Sequence, residues 1–173
     1  RALREQDPVR AIAAMLELAR AGSQDDLNPI ITKLLGLNLS PAEQLSVLRV
    51  VAVTISRHGT PGEEQLVGLL KLGERDYPLG SNDGLNPELR TSSNRELCRL
   101  LVYLKSPTVI EKTMPLLKAA TTSEDLLFYP FMLRYLKDGW TLEQRRVVFE
   151  ALNKAEKMNG ASTFFKAIAD TRS

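Results

Sequence analysis

Apolar residues recur along this chain at spacings of three and four positions, the pattern of helices that bury one face. Segments that open at Asp7-Pro8, at Ser23 and at Pro41 all show this spacing. Their apolar stripes are Val9, Ile12, Ala13, Leu16 and Ala19; Leu27, Ile30, Ile31, Leu34 and Leu35; and Leu45, Leu48, Val51, Ala52 and Ile55. No stretch alternates apolar and polar residues with period two, so the sequence predicts an all-α fold without strands.

Two helix starts carry the residues of a capping box, in which an N-cap hydroxyl and a glutamate three positions later satisfy free backbone N–H groups. Ser40 is the first predicted N-cap, with Pro41 in the first turn and Glu43 reaching back. Thr60 and Glu63 repeat the arrangement around Pro61. Glycine is the favoured residue just beyond a helix, so these two helices are predicted to end at Gly59 and Gly73.

The same features predict five further helices in the second half of the chain. Ser93 and Glu96 have capping-box spacing and precede a stripe of leucines at 97, 100, 101 and 104. Including the helices above, the predicted starts are near residues 8, 24, 41, 61, 94, 107, 123, 142 and 162. For the five helices of the second half, the residues predicted at the starts are Ser93, Ser106 before Pro107, Thr122 or Ser123, Thr141 with Gln144, and Ser162. The helix that starts at Thr122 or Ser123 is predicted to run to Gly139.

Two features interrupt the helical pattern. Residues 74–93 read as a long internal loop, of a length that in compact domains accompanies function or mobility. Pro115 and Pro130 fall inside helical patterns, where proline removes a backbone donor, so we expect a kink or a restart at each.

Alternate helix starts are separated by about 33 to 37 residues in several places, a period typical of stacked helical hairpins. We therefore predict that residues 1–173 form a single helical-repeat domain, an α-solenoid of the HEAT or armadillo kind. The alternative architecture is a compact helical bundle. In either fold, Leu48 and Leu101 should lie in the core.

Composition and charge restrict the range of functions. The chain is 43% hydrophobic and 25% charged, which is ordinary for a globular protein, and no apolar run is long enough to span a membrane. Its net charge of +2 is dispersed, with seven basic against six acidic residues in 1–60 and sixteen against fifteen in 61–173. Nucleic-acid binders usually concentrate positive charge, so this balance disfavours them. The chain starts at Arg1 rather than methionine, so we expect it to be part of a longer protein.

Little in the sequence suggests catalysis or a cofactor. Cys98 is the only cysteine and His58 the only histidine, so no internal disulfide forms and a familiar metal site lacks ligands. Cys98 lies beside the leucine stripe and is expected to pack in the core. His58 precedes Gly59 and is expected to cap a helix C-terminus. Glycine-rich phosphate loops and metalloprotease or nucleophile-elbow motifs are absent, so no cofactor is predicted.

Four residues are candidates for contact with a partner. Trp140 is expected to fill the junction between two helices, although tryptophan also anchors interfaces. Arg145 and Arg146 form a basic pair on the following helix, and Tyr77 lies in the long loop.

Three stretches resemble the helical-repeat region of large exported bacterial multi-domain proteins: "NRELCRLLVYLKSPTVIEKTMPLL", "LRYLKDGWTLEQRRVVFEALNKA" and "NGASTFFKAI". In that family the region lies between a β-propeller dehydrogenase-like module and a C-terminal c-type cytochrome. The resemblance implies an exported or periplasmic location and no catalytic residues. This chain lacks C-x-x-C-H, so no haem function transfers to it.

The sequence as a whole predicts a non-catalytic scaffold or spacer. Such a domain would mediate protein–protein or inter-domain contacts within a larger protein, which the resemblance suggests is a haem-containing redox protein. Two alternatives remain, a nucleic-acid-binding helical repeat and a small enzyme that uses Cys98.

Overall fold

A computed structural model describes residues 2–81 and 84–158, and all regular structure in these ranges is helical. Two short 3-10 helices, Ala2–Arg4 and Gln24–Asp26, accompany eight α-helices. The α-helices are α1 (Pro8–Ala21), α2 (Leu27–Leu35), α3 (Pro41–His58), α4 (Glu63–Asp76), α5 (Pro87–Tyr103), α6 (Val109–Ala119), α7 (Ser123–Leu133) and α8 (Leu142–Glu156). The all-α prediction is confirmed for this part of the chain. The segment predicted to follow Ser162 lies outside the described residues.

The helices divide into two compact units, Arg1–Leu104 with α1 to α5 and Lys105–Ser173 with α6 to α8. In the first unit α3 packs against both α1 and α5, while α2 contacts α1, α3 and α4, and α4 contacts α5. Large side chains that are fully buried form its core: Met15, Ile30, Ile31, Leu34, Val47, Val51, Leu69, Leu97 and Leu101.

The second unit contains three mutually contacting helices, α6, α7 and α8. Its fully buried large side chains are Leu117, Leu126 and Leu133. From α8 the small residues Val147, Ala151 and Ala155 are buried, at spacings of four that place them on one side of the helix. Small residues on this side let the helix approach its two neighbours closely.

The predicted caps of α1, α3, α7 and α8 are confirmed. Asp7 Oδ1 accepts from the backbone N–H of Arg10 at 2.9 Å. Ser40 and Glu43 form the expected capping box at the start of α3, and Thr141 and Gln144 form another at α8. Thr122 caps α7 through the N–H of Asp125. Gly59 follows α3 with a φ of 95°, the left-handed conformation in which glycine is least strained.

The predicted bounds of α4 are wrong at both ends. Thr60 is not its N-cap, because the helix begins at Glu63 after Gly62, whose N–H donates to Asn28 Oδ1 of α2 at 2.8 Å. Gly73 does not end it either. At Gly73 a Cβ would lie 2.8 Å from Leu101 Cδ2, so the glycine allows α4 to approach α5 closely.

The predicted start of α5 near residue 94 is also wrong. Asn86 is the N-cap, with Pro87 in the first turn, and its Oδ1 accepts from the N–H of Leu89 at 2.8 Å. Ser93 is a fully buried residue inside the helix, and Glu96 bonds Arg99 at 2.8 and 3.0 Å. The Asn-Pro pair at 86–87 uses the same start signal as Asp7-Pro8.

The predicted loop bounds of 74–93 are too wide, because α4 continues to Asp76 and α5 begins at Pro87. Two side chains of α5 bind the backbone of described residues between these helices. Asn94 bonds both the N–H and the carbonyl of Leu79, at 2.8 and 3.2 Å, and Arg90 donates to the carbonyl of Leu85 at 2.8 Å. These contacts tie the loop to α5.

Three predictions about α6 and α7 need correction. The helix predicted from Pro107 begins at Val109, because Ser106 Oγ accepts from the N–H of Thr108 in the turn before it. Pro115 and Pro130 each lie inside one continuous helix, so no helix restarts at either proline, and a kink there stays a prediction. The helix predicted to run to Gly139 ends at Leu133.

A side-chain hydrogen bond closes the turn that follows α7. The indole N–H of Trp140 donates to the carbonyl of Leu136 at 2.8 Å. In a continuing helix the backbone N–H of residue 140 would bond that carbonyl. The tryptophan side chain instead closes the connection between α7 and α8.

Candidate interaction surfaces

An apolar groove lies between α3 and α5 in the first unit. Leu48, Val51 and Leu100 line it with side chains that are at most 8% exposed. At its edges are Tyr103, which is 44% exposed, and the Glu96–Arg99 ion pair. The remaining lining residues are Ala52, Ile55 and Ser56 of α3.

The groove has a volume of about 190 Å³. Pockets for drug-sized ligands span roughly 300–1,000 Å³, so this groove is small for an independent ligand. It has room for an apolar side chain projected from a partner. Its charged and hydroxyl groups stand at the rim, as they do in protein–protein contacts.

Two other depressions in the first unit are more polar. One, between α2 and α4, is lined by Thr32, Glu63, Glu64 and Lys71 among others. Another lies near Gln44, whose side-chain amide bonds the carboxylate of Asp76. The hydrogen bonds and charge of Asp76 raise the pKa of Arg75 beside it.

The candidate nucleophile is inaccessible. Cys98 is 0% exposed, as predicted for a core cysteine. His58 Nε2 lies 2.8 Å from the carbonyl oxygen of Ala19, so the imidazole of the last α3 residue binds the end of α1. A reactive thiol needs access to its substrate, and burial denies it to Cys98.

Three of the four predicted interaction residues come together at the start of α8. The guanidinium of Arg145 lies over the ring of Trp140, 5.7 Å from its centroid. Trp140 is itself half-buried and held by its bond to Leu136. Arg146 forms ion pairs with Glu143 at 3.1 Å and Glu150 at 3.6 Å.

The fourth residue, Tyr77, is placed elsewhere. It follows α4 as its C-cap, is only 2% exposed and belongs to the core of the first unit. Tyr77 therefore offers no surface for a partner in this structure. An interaction role for the other three stays a prediction.

Sequence reasoning missed two residues of this region. Leu142 is 87% exposed and Phe149 is 65% exposed, although both are large and apolar. Residues seven apart lie on one side of a helix, and this side is opposite the small stripe of Val147, Ala151 and Ala155. Spacing alone does not say which of the two sides is exposed, because exposed and buried apolar residues look alike in a sequence.

The part of the chain that the structure describes contains no helix both long and apolar enough to cross a bilayer. Nor do its His, Cys, Asp and Glu side chains gather in any group of three or more that could bind a metal ion.

Comparison of the chain with protein-family models, with curated proteins and with solved structures finds no match. The resemblance to the exported bacterial proteins therefore stays a prediction. Two of its three stretches fall within the described helices, at α5–α6 and at α7–α8. The third, at residues 159–168, lies outside the described residues.

Proposed function

We propose that this chain is a non-catalytic helical-repeat scaffold of the HEAT or armadillo kind, which mediates protein–protein or inter-domain contacts within a larger protein. It would act as a spacer, whose stacked hairpins hold neighbouring modules at a fixed separation. That the larger protein is an exported, haem-containing redox protein rests on the sequence resemblance alone.

The observation that carries the proposal is the packing of alternate helices. In the first unit α3 contacts both α1 and α5, and α2 contacts α4. Consecutive helices α1 and α2 also contact each other, as the two arms of a hairpin do. In a solenoid each repeat touches its neighbours in this way, so odd and even helices form separate rows.

The second unit has the same alternation over a shorter stretch. α6 contacts α8 directly, and α7 contacts both. Three helices can also pack this way in a small bundle, so this unit supports the proposal less strongly than the first.

The groove between α3 and α5 supports a contact function. It lies between two helices of the odd row, where a solenoid presents an extended surface. Its apolar lining and charged rim suit a protein partner.

A spacer must hold its parts at a fixed distance, and this can be measured. We would introduce spin labels at the exposed sites Glu17→Cys in the first unit and Asp138→Cys in the second, in a Cys98→Ala background. Pulsed electron paramagnetic resonance would then give the distribution of distances between the two labels.

The control pair carries labels at Glu17→Cys and Lys71→Cys, both exposed and both within the first unit. A spacer predicts that the distribution between units is as narrow as that of the control pair. A distribution several times broader would show that the units move independently, and the spacer function would be refuted.

A further inference from the structure

The exposed side of α8 combines two apolar side chains and one cation. Leu142 and Phe149 lie two helical turns apart, about 10 Å along the helix axis. They project away from Val147, Ala151 and Ala155, which are buried. Arg145 lies between them in sequence and is exposed. We call Trp140, Leu142, Arg145 and Phe149 the α8 surface.

Two large apolar side chains exposed on one side of a single helix form a surface that a partner can cover. Single exposed apolar residues are common. Leu142 and Phe149, however, are the two most exposed large apolar residues in the described part of the chain, and both lie on α8. Tryptophan and arginine are the residues most enriched among those that dominate binding energy at interfaces. The α8 surface has one of each, with Trp140 held by its bond to Leu136.

The charges around this surface indicate what kind of partner fits. Arg146 is neutralised by Glu143 and Glu150 on its own helix. Lys154 donates to the carbonyl of Ala120 at 2.7 Å. Arg145 forms no ion pair with any described residue and is only stacked on Trp140. One cation without a carboxylate therefore remains between two apolar side chains.

We propose that the α8 surface binds an acidic amphipathic segment of a partner protein. Such a segment would place two apolar side chains against Leu142 and Phe149 and a carboxylate against Arg145. A charged hydrogen bond to Arg145, shielded by the Trp140 ring, would fix the register of the partner. This inference rests on the scaffold function proposed above and names the partner class for one of its surfaces.

Nucleic acid fits this surface less well. Its phosphate backbone is bound through several cations, each adding to a steep salt dependence. The α8 surface offers one un-neutralised arginine, with two glutamates nearby. A second copy of the chain also fits less well, because pairing two α8 helices about a two-fold axis would bring Arg145 close to its own copy.

A peptide selection tests the proposal directly. A phage-displayed library of 18-residue helical peptides would be selected on the whole chain and counter-selected on the Phe149→Ala variant. Enriched peptides should carry two large apolar residues about seven positions apart with Asp or Glu between them. Fluorescence anisotropy of one such peptide would then measure affinity.

Weaker binding to Phe149→Ala is imposed by the counter-selection, so Leu142→Ala is the test, and we expect it to weaken binding by about tenfold or more. Arg145→Glu should do the same, and exchanging the peptide's acidic residue for lysine should restore binding to that variant only. Arg49→Gln, which removes an exposed arginine of α3 that does not belong to the α8 surface, is the matched control and should change affinity less than about twofold. All four positions are exposed, so circular dichroism should show unchanged helix content.

Several outcomes would overturn the inference. The selection could enrich no peptide, or the affinity of the enriched peptides could be unchanged by Arg145→Glu. Duplex DNA could displace the peptide, or sedimentation could show a dimer that is lost when Phe149 is replaced. The spin-label distances do not depend on this surface. A failed selection with narrow distances would therefore remove the partner class and leave the spacer proposal standing.

Discussion

Apolar residues of the same type are buried at some positions of this protein and exposed at others. Leu101 is completely buried at the point where Gly73 lets α4 approach α5 closely, whereas Leu142 is 87% exposed. Cys98 is buried beside Leu97 and Leu101 in the same helix. The stripe on α5 predicted that Leu101 and Cys98 are internal. Sequence could not distinguish Leu142, because its exposure depends on which side of α8 the other helices cover.

Replacing Leu101 with alanine should lower the free energy of unfolding by about 2–5 kcal/mol, because a cavity remains next to α4. Leu48, which is 3% exposed, should behave similarly. Leu142→Ala is the matched control and should change stability by less than about 0.5 kcal/mol. Chemical denaturation measures all three, and a loss under about 1 kcal/mol at both buried sites would refute the core assignment.

The thiol of Cys98 should react slowly with an alkylating reagent in the native protein and quickly after unfolding in denaturant, because burial blocks access. Mass spectrometry of samples quenched over time would measure both rates. Rapid native alkylation would revive the alternative of an enzyme that uses Cys98.

The position at which a helix begins or ends depends both on local sequence signals and on tertiary contacts. Where the N-cap side chain is free to bond its own helix, as at Ser40 and Thr141, the sequence located the start correctly. At α4 the contacts of Gly62 with Asn28 and of Gln65 with Thr32 fix the start two residues later than Thr60 and Pro61 suggest. Gly73 shows the same effect, since its role is close packing rather than termination.

Ser40→Ala should destabilise the protein by about 1 kcal/mol at neutral pH, because the N-cap bond of α3 is lost. Thr60→Ala is the control and should have little effect, because α4 begins at Glu63 without it. Thermal or chemical denaturation of both variants compares them. Equal losses would mean that Thr60 caps α4 after all.

The effect of Ser40→Ala should also depend on pH. Hydrogen bonds from the Ser40 hydroxyl and N–H lower the pKa of Glu43, because they favour the carboxylate. A lowered folded-state pKa stabilises the protein above the pKa of the unfolded chain, and this contribution disappears as pH falls through the folded value. The difference between wild type and Ser40→Ala should therefore shrink below about pH 4. A difference that stays constant from pH 7 to pH 3 would contradict this role of Glu43.

At the scale of the whole molecule, the distribution of charge and the order in which helices pack bear on function. Basic and acidic residues are nearly balanced in both parts of the sequence, and several arginines are paired with acids on their own helices. Alternate helices pack together within each unit. The predicted period of 33 to 37 residues holds for some alternate starts, such as Pro8 and Pro41, but not for Pro41 and Pro87, which are 46 residues apart. The helical-repeat architecture therefore stays a proposal.

This charge balance predicts that the protein will pass through a duplex-DNA column at physiological salt without retention, since binding requires clustered cations. A basic DNA-binding domain run under the same conditions provides the positive control. Retention that weakens steeply as salt rises would favour the nucleic-acid-binding alternative.

The sequence by itself determined the helical class, four of the helix caps and the burial of Leu48, Leu101 and Cys98, because these follow from periodicity and from bonds within a few residues. Only the tertiary structure decided the bounds of α4 and α5, the burial of Tyr77 and the exposure of Leu142 and Phe149. These depend on which helix faces are covered by residues distant in the chain. Local patterns record that a side chain is apolar, but packing decides whether it lies in a core or remains on a surface where a partner can bind.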